Sequence, residues 1–310
     1  MSEGSKRVII AAFLANLGIA LAKFIASFIS GSSAMLAEAV HSMADTANQL
    51  FLFIGLKRAK KPPTSLHPFG FGQERYFWTF VVAMSLFVIG GTFSVYEGIA
   101  KAIHPHQLEN IAVSYVVLGV SLVLEGLSFR TAWKEFALRR GAIPTLTFIR
   151  QTKDPVLITV LFEDASALLG LLIALSGITL SHVTGELFFD GLASVLIGIL
   201  LILVAVFLAW ESKSLLIGES ASPENIERIR KAVDDTDGIE RVGELLTMHL
   251  GPDQILVNLS LDFADNLSAE EIERTTAELE RRIRETVPGA TRIFIEAKNL
   301  HTPRRSPRGQ

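Results

Sequence analysis

Two apolar stretches of this 310-residue chain contain side chains that a lipid environment rejects. The first reads Ala37-Glu38-Ala39-Val40-His41-Ser42-Met43-Ala44-Asp45-Thr46-Ala47-Asn48. With a helix advancing about 100° per residue, Glu38, His41, Asp45 and Asn48 fall within an arc of roughly 80° and form one polar stripe. His41 and Asp45 stand one turn apart, so an imidazole nitrogen and a carboxylate can reach one point. That is chelate spacing for a divalent cation. The second stretch carries Glu163 and Asp164. Adjacent positions diverge by about 100°, so an undistorted helix does not turn both carboxylates onto one ion. Asp164 is the candidate ligand. Glu163 is a supporting group, a proton carrier or a helix-pairing acid, and Asn16 in the first apolar stretch can line the same space.

An acid at the centre of a membrane helix costs on the order of 3 kcal/mol, so each one needs a reason. The competing reason is an interhelical salt bridge. Lys23 is the obvious basic partner, but one Lys cannot neutralise Glu38, Asp45, Glu163 and Asp164, and Glu125 widens the imbalance. Several acids without matching bases imply a bound cation, bound protons, or both. Histidine is the natural titrating member of such a set, because its reference pKa of about 6.5 lies near physiological pH.

The elements that must position these groups are membrane helices. The chain is 49% hydrophobic and 20% charged, with mean hydropathy +0.40. A soluble domain usually carries about 25% charge. Residues 211–310 hold 19 Asp/Glu and 14 Lys/Arg, whereas the first 210 residues hold only 28 charges. A spanning helix needs about 20 mostly apolar residues. Six stretches qualify, near 8–29, 34–56, 76–98, 112–133, 156–178 and 188–211. Of the 15 Lys/Arg in the first 210 residues, 12 lie in segments on one side of these spans, and Lys101 alone lies in the opposite loops. By the positive-inside rule both termini face the cytoplasm. Gly90, Ser94 and Gly98 mark a close-packing face on the third span, for either a dimer or a neighbouring helix. With no Cys there is no disulfide or thiolate site, and a net charge of −3 gives no reason to expect nucleic acid.

After Trp210 the pattern becomes soluble-like. Ser222-Pro223 opens a helix to about Asp235. Alternating runs at 240–250 and 255–263 flank a Gly251-Pro252-Asp253-Gln254 turn. Ser268 and Glu271 form a capping box for a helix to about Glu285, and Thr291–Ala297 reads as a third strand. Helix–strand–strand–helix–strand predicts a small α/β ferredoxin-like domain. The expected organisation is a six-helix transmembrane transport domain (1–211), a cytoplasmic ferredoxin-like domain (212–300) and a disordered tail (301–310).

The run Gly31-Ser32-Ser33-Ala34-Met35-Leu36-Ala37-Glu38-Ala39-Val40-His41-Ser42-Met43-Ala44-Asp45 resembles the second span of the cation diffusion facilitator family of divalent-metal transporters. His67-Pro68-Phe69-Gly70-Phe71-Gly72 resembles that family's H-P-F-G-x-G segment, and Leu161-Phe162-Glu163-Asp164 with Gly170 looks like the zinc transporter 9-like branch. The resemblance covers about residues 8–300. It implies a homodimeric exporter that exchanges a divalent metal, most often Zn²⁺, for protons by alternating access. It also implies a transport site built from an H/D-x-x-x-D pair on each of the second and fifth spans. Carried over by position, the ligands are His41, Asp45 and Asp164, while the remaining position is Val160. Glu163, Asn16 or a water must then complete the site, or the preferred metal differs. In the loop before the third span Ser65 and Phe71 replace the expected partners of His67, and Asn258 and Ile295 stand where some members place cytoplasmic histidines. No metal cluster is expected there. His249 reads as a satisfied polar residue, and His104, His106 and His182 as solvated loop residues.

The expected function is therefore efflux of a divalent cation, Zn²⁺ first, by proton antiport across the bilayer, with metal ions and protons as the transported partners and no prosthetic group. Glu38, Glu163 and Asn16 are the auxiliary metal or proton-coupling candidates. Alternatives are a Mn²⁺ or Fe²⁺ exporter, or a non-transporting membrane partner or sensor. No nucleophile motif, phosphate loop or cofactor fingerprint points to an enzyme. Short loops and the lack of a targeting segment favour a prokaryotic inner membrane.

Overall fold

The computed structural model describes residues 3–105 and 107–299, with side chains from Asn16 onward except that of Arg150. His106 and the tail 301–310 lie outside the described residues. The chain divides into two units: residues 1–58 with 74–213, and residues 59–73 with 214–310.

The first unit is helical. It contains α1 (Glu3–Ser30), α2 (Ser33–Ala59), α3 (Glu74–Ser85), α4 (Phe93–Ile103), α5 (Ile111–Arg140), the short α6 (Thr145–Gln151), α7 (Pro155–Thr184) and α8 (Phe188–Ile217). A π-helical stretch, Leu86–Thr92, joins α3 and α4 into one continuous helix. Among the described residues four helices are long and apolar enough to cross a membrane: Glu74–Ile103, Ile111–Arg140, Pro155–Thr184 and Phe188–Ile217. The described apolar part of α1, Asn16–Ser30, is shorter, and in α2 the polar stripe itself lowers the hydropathy. Large apolar side chains such as Phe28, Val116 and Leu203 stand exposed on the outside of the bundle, as a lipid-facing surface requires.

Local chemistry explains the α1–α2 corner. Gly31, at φ +65°, takes the left-handed conformation that ends α1, and its N–H bonds the Ser27 carbonyl at 2.8 Å. Ser32 then caps α2, its Oγ accepting from the Met35 N–H at 3.0 Å. A remote carboxylate reinforces the cap: fully buried Asp190 of α8 accepts from the Ser33 N–H at 2.7 Å and from the Ser33 hydroxyl at 2.9 Å.

Glycines set how closely the joined α3–α4 helix and α8 approach. A Cβ on Gly98 would meet the Gly191 carbonyl and the Val195 N–H, and one on Gly198 would meet the Gly91 carbonyl. Ser194 Oγ donates to the Ser94 carbonyl across the same seam at 2.9 Å. The Gly90/Ser94/Gly98 face therefore packs against α8 of its own chain. The π-helical stretch lies at the Gly90-Gly91 pair of this seam, which the apolar periodicity did not anticipate.

The second unit contains α9 (Pro223–Asp234), β1 (Ile239–Gly251), β2 (Gln254–Phe263), α10 (Ala269–Thr286) and β3 (Ala290–Ala297). The sheet order is β1-β2-β3, antiparallel between β1 and β2 and parallel between β2 and β3. Ile255, Val257, Leu259 and Leu261 alternate along β2 into a core with Ile229 and Val233 of α9 and Leu279 and Ile283 of α10. Ser222 caps α9 ahead of Pro223, and Ser268 with Glu271 forms the capping box of α10.

Candidate metal site

Four helices supply a small polar cavity of about 40 Å³, lined by Asn16 of α1, Ser42, Asp45 and Gln49 of α2, Glu125 and Ser128 of α5, and Val160, Glu163 and Asp164 of α7. That is room for an ion with about one water. The α2 residues follow helical spacing, so one face of that helix is committed to the cavity. The lining contains four carboxylates and no Lys or Arg.

Hydrogen bonds orient two of these acids. Asn48 Nδ2 donates to Glu163 Oε1 at 2.7 Å, and Ser128 Oγ donates to Asp164 Oδ2 at 2.9 Å. His41 is packed fully buried beside the cavity without lining it, its Nδ1 3.5 Å from Asp45 Oδ1. Neither His41 ring nitrogen, nor Asp45 Oδ1, makes a hydrogen bond among the described residues. A buried polar atom left without a partner costs about 1–3 kcal/mol, so such a pair marks a place where a ligand would repay the cost. Asp45, Glu163, Asp164 and Asn16 thus share one cavity. Among the described residues, no three His, Asp or Glu side chains converge closely enough to hold an ion as they stand.

Residues 9–217 match the cation efflux transmembrane domain, and residues 221–298 the cytoplasmic domain of cation efflux proteins. The chain belongs to the cation efflux, or cation diffusion facilitator, family. This family member is 30% identical over 265 residues to the human proton-coupled zinc antiporter SLC30A9, mitochondrial. That alignment takes in 84% of this chain and 46% of the human protein, so the chain spans about half the length of the zinc antiporters it matches. It is 26% identical to metal tolerance protein C4 of Arabidopsis thaliana, over 96% of this chain and 74% of that one. It is 23% identical to the manganese efflux system protein MneP of Bacillus subtilis, over 83% and 84% of the two chains.

In this cation diffusion facilitator Glu38 lies apart from the cavity lining. Lys23 and Glu38 are both fully buried, with Nζ 3.1 Å from Glu38 Oε2 and 2.7 Å from Ser42 Oγ. Glu38 also leans on the bare backbone of Gly170, where a Cβ would overlap its Oε1. The salt-bridge explanation therefore holds for this one acid. Of the sequence candidates, Glu38 is committed to an ion pair and Asn16 lines the cavity.

Glu125, Ser128 and Gln49 were not singled out as site residues from the sequence. Their signal was helical spacing: Ser42, Asp45 and Gln49 share a face of α2, and Glu125 and Ser128 share one of α5. In the second unit His67 packs against Phe71 with ring centroids 4.5 Å apart and the rings tilted by 34°, and buried His249 holds Nδ1 3.3 Å from the Gly251 carbonyl. Gly72 lies against the Leu250 carbonyl, where a side chain has no room.

Proposed function

We propose that this protein exports a divalent metal, Zn²⁺ first, in exchange for protons, binding the ion at His41, Asp45 and Asp164. The observation that carries the reading is a small cavity lined by four carboxylates and no base, beside an unbonded His41–Asp45 pair. Such a surplus of acid at membrane depth is stable when a cation or protons occupy it. Ligation requires deprotonated ligands, so metal and protons compete for the same groups, and that competition couples the two fluxes. Asn16 and Glu163 serve as supporting groups, and Glu38 acts through its tie to Lys23.

In this reading α1, α2, the joined α3–α4 helix, α5, α7 and α8 all span the bilayer, and the second unit is a cytoplasmic ferredoxin-like domain of a homodimer. The excess of Lys and Arg in one set of loops supports a cytoplasmic position for both termini, and short interhelical loops suit a prokaryotic inner membrane. A second reading, a Mn²⁺ or Fe²⁺ exporter, is favoured by Val160 in the lining, which leaves oxygen as the only donor atom there.

The test is transport by the purified protein in liposomes across Zn²⁺, Mn²⁺, Fe²⁺, Co²⁺ and Cd²⁺ under a pH gradient. Zn²⁺-driven proton flux supports the first reading, and preference for Mn²⁺ or Fe²⁺ the second. Absence of flux with every metal rejects both in favour of a non-transporting role.

A further inference from the structure

We propose that Glu125 of α5 is a further metal-binding residue, closing on the ion with His41, Asp45 and Asp164 when the cation draws these side chains together. The inference rests on the transport reading above and adds a ligand to it.

Two of the four lining acids already have hydrogen-bond partners. Glu163 receives Asn48 Nδ2 at 2.7 Å, and one oxygen of Asp164 receives Ser128 Oγ at 2.9 Å. Among the described residues Glu125 has neither a hydrogen bond nor an ion pair, and the one nearby base, Lys23, is held by Glu38 and Ser42. Ser128 stands three residues after Glu125 and bonds α7 directly, so the face of α5 that bears Glu125 is the face turned to Asp164. Opposite, Asp45 Oδ1 is without a hydrogen bond, beside fully buried His41 whose ring nitrogens are equally unbonded. An acid cluster alone would mean little. The unpartnered buried imidazole beside the Asp45 carboxylate is the independent sign of a ligand.

The donor set gives the inference its chemical content. Four carboxylates, the Asn16 and Gln49 amides and the Ser42 and Ser128 hydroxyls make the lining rich in oxygen donors, with the His41 imidazole set back from it. Oxygen donors suit Mn²⁺, whereas imidazole favours Zn²⁺. Glu125 therefore adjusts selectivity as well as affinity, by raising the share of carboxylate in the set.

The experiment measures Mn²⁺ and Zn²⁺ uptake by proteoliposomes under a pH gradient for wild type, Glu125→Gln, Glu125→Asp, Glu125→His and Asp45→Asn. Glu186→Gln, at an exposed loop acid, is the control. Glu125→Gln raises KM for both metals by at least about tenfold, the lower end of what losing even a supporting group costs a metal site. Glu125→Asp retains transport, and Glu125→His shifts the Zn²⁺/Mn²⁺ preference toward Zn²⁺, which a merely structural glutamate would not do. If Glu125→Gln matches wild type while Asp45→Asn is inactive, Glu125 is no ligand and the transport reading stands. If Asp45→Asn is also active, the reading itself falls. Should Glu125→Gln fail to yield monodisperse protein, the Glu125→His preference decides: an unchanged ratio overturns the proposal.

Discussion

At the scale of single residues, two pairs of ionisable side chains in the helical unit carry opposite expectations. Lys23 and Glu38 neutralise each other in a dry environment, and removing one leaves the other uncompensated. Lys23→Met is expected to destabilise the protein by about 3–5 kcal/mol, with much of the loss recovered in Lys23→Met/Glu38→Met. Thermal unfolding in detergent checks this, and equal losses in the single and double variants would contradict the pairing. Asp45 and His41 lack such compensation, so their replacement should cost transport more than stability. Helical periodicity is a property of one segment, so a polar face on α2 was legible, but of Glu38, His41, Asp45 and Asn48 only Asp45 is among the cavity-lining residues, beside Ser42 and Gln49. Glu125 was visible only as surplus charge, because the neighbour that a face of α5 meets is decided by packing between helices. The salt-bridge commitment of Glu38 was half legible, since Lys23 was an evident partner but nothing in the sequence chose Glu38 over Asp45.

At the scale of elements, termini and seams carry the organisation. The Gly91/Gly98/Gly191/Gly198 seam leaves no room for side chains, so Gly98→Val should separate α4 from α8 and lower the melting temperature, whereas Gly119→Val, at an open position, should not. Comparable melts for the two variants would dismiss the seam. In α10 the Ser268 N–H and hydroxyl hold the Glu271 carboxyl below the usual carboxylate range, the backbone hydrogen bond being the larger cause. A depressed folded-state pKa contributes stability that is present above the unfolded value and fades as pH falls through the folded value. Helix stability at α10 should therefore weaken on acidification below the ordinary glutamate range, and Glu271→Gln should flatten that part of the profile. Circular dichroism against pH reads the difference. Both caps of the second unit were legible, because Ser-Pro and Ser-x-x-Glu act within one turn. The π-helical stretch was not, because it depends on the close approach of α8.

At the scale of the whole molecule, family membership and an acidic cavity with no Lys or Arg in its lining support the proposed metal export from independent directions. The two-part organisation was readable from charge density alone, since only the last 100 residues carry charge at a soluble protein's frequency. The identity of the ion was not readable, because it follows from how many donors meet at one point. On the sheet face away from the α9 and α10 core, Leu246, Asn258 and Phe294 pair across the three strands, and both apolar members are exposed. If the proposed homodimer uses this row, Phe294→Glu should shift mass-photometry peaks in detergent from dimer to monomer, and an unchanged dimer would place the interface elsewhere. The proposed ligation of the transported ion by Asp45 and Asp164 is narrower than any of this. It is tested most directly by Zn²⁺-dependent proton flux in liposomes containing wild type, Asp45→Asn or Asp164→Asn. Robust flux in wild type and its loss in both variants at unchanged protein incorporation are expected, and wild-type flux in either variant would contradict the ligation.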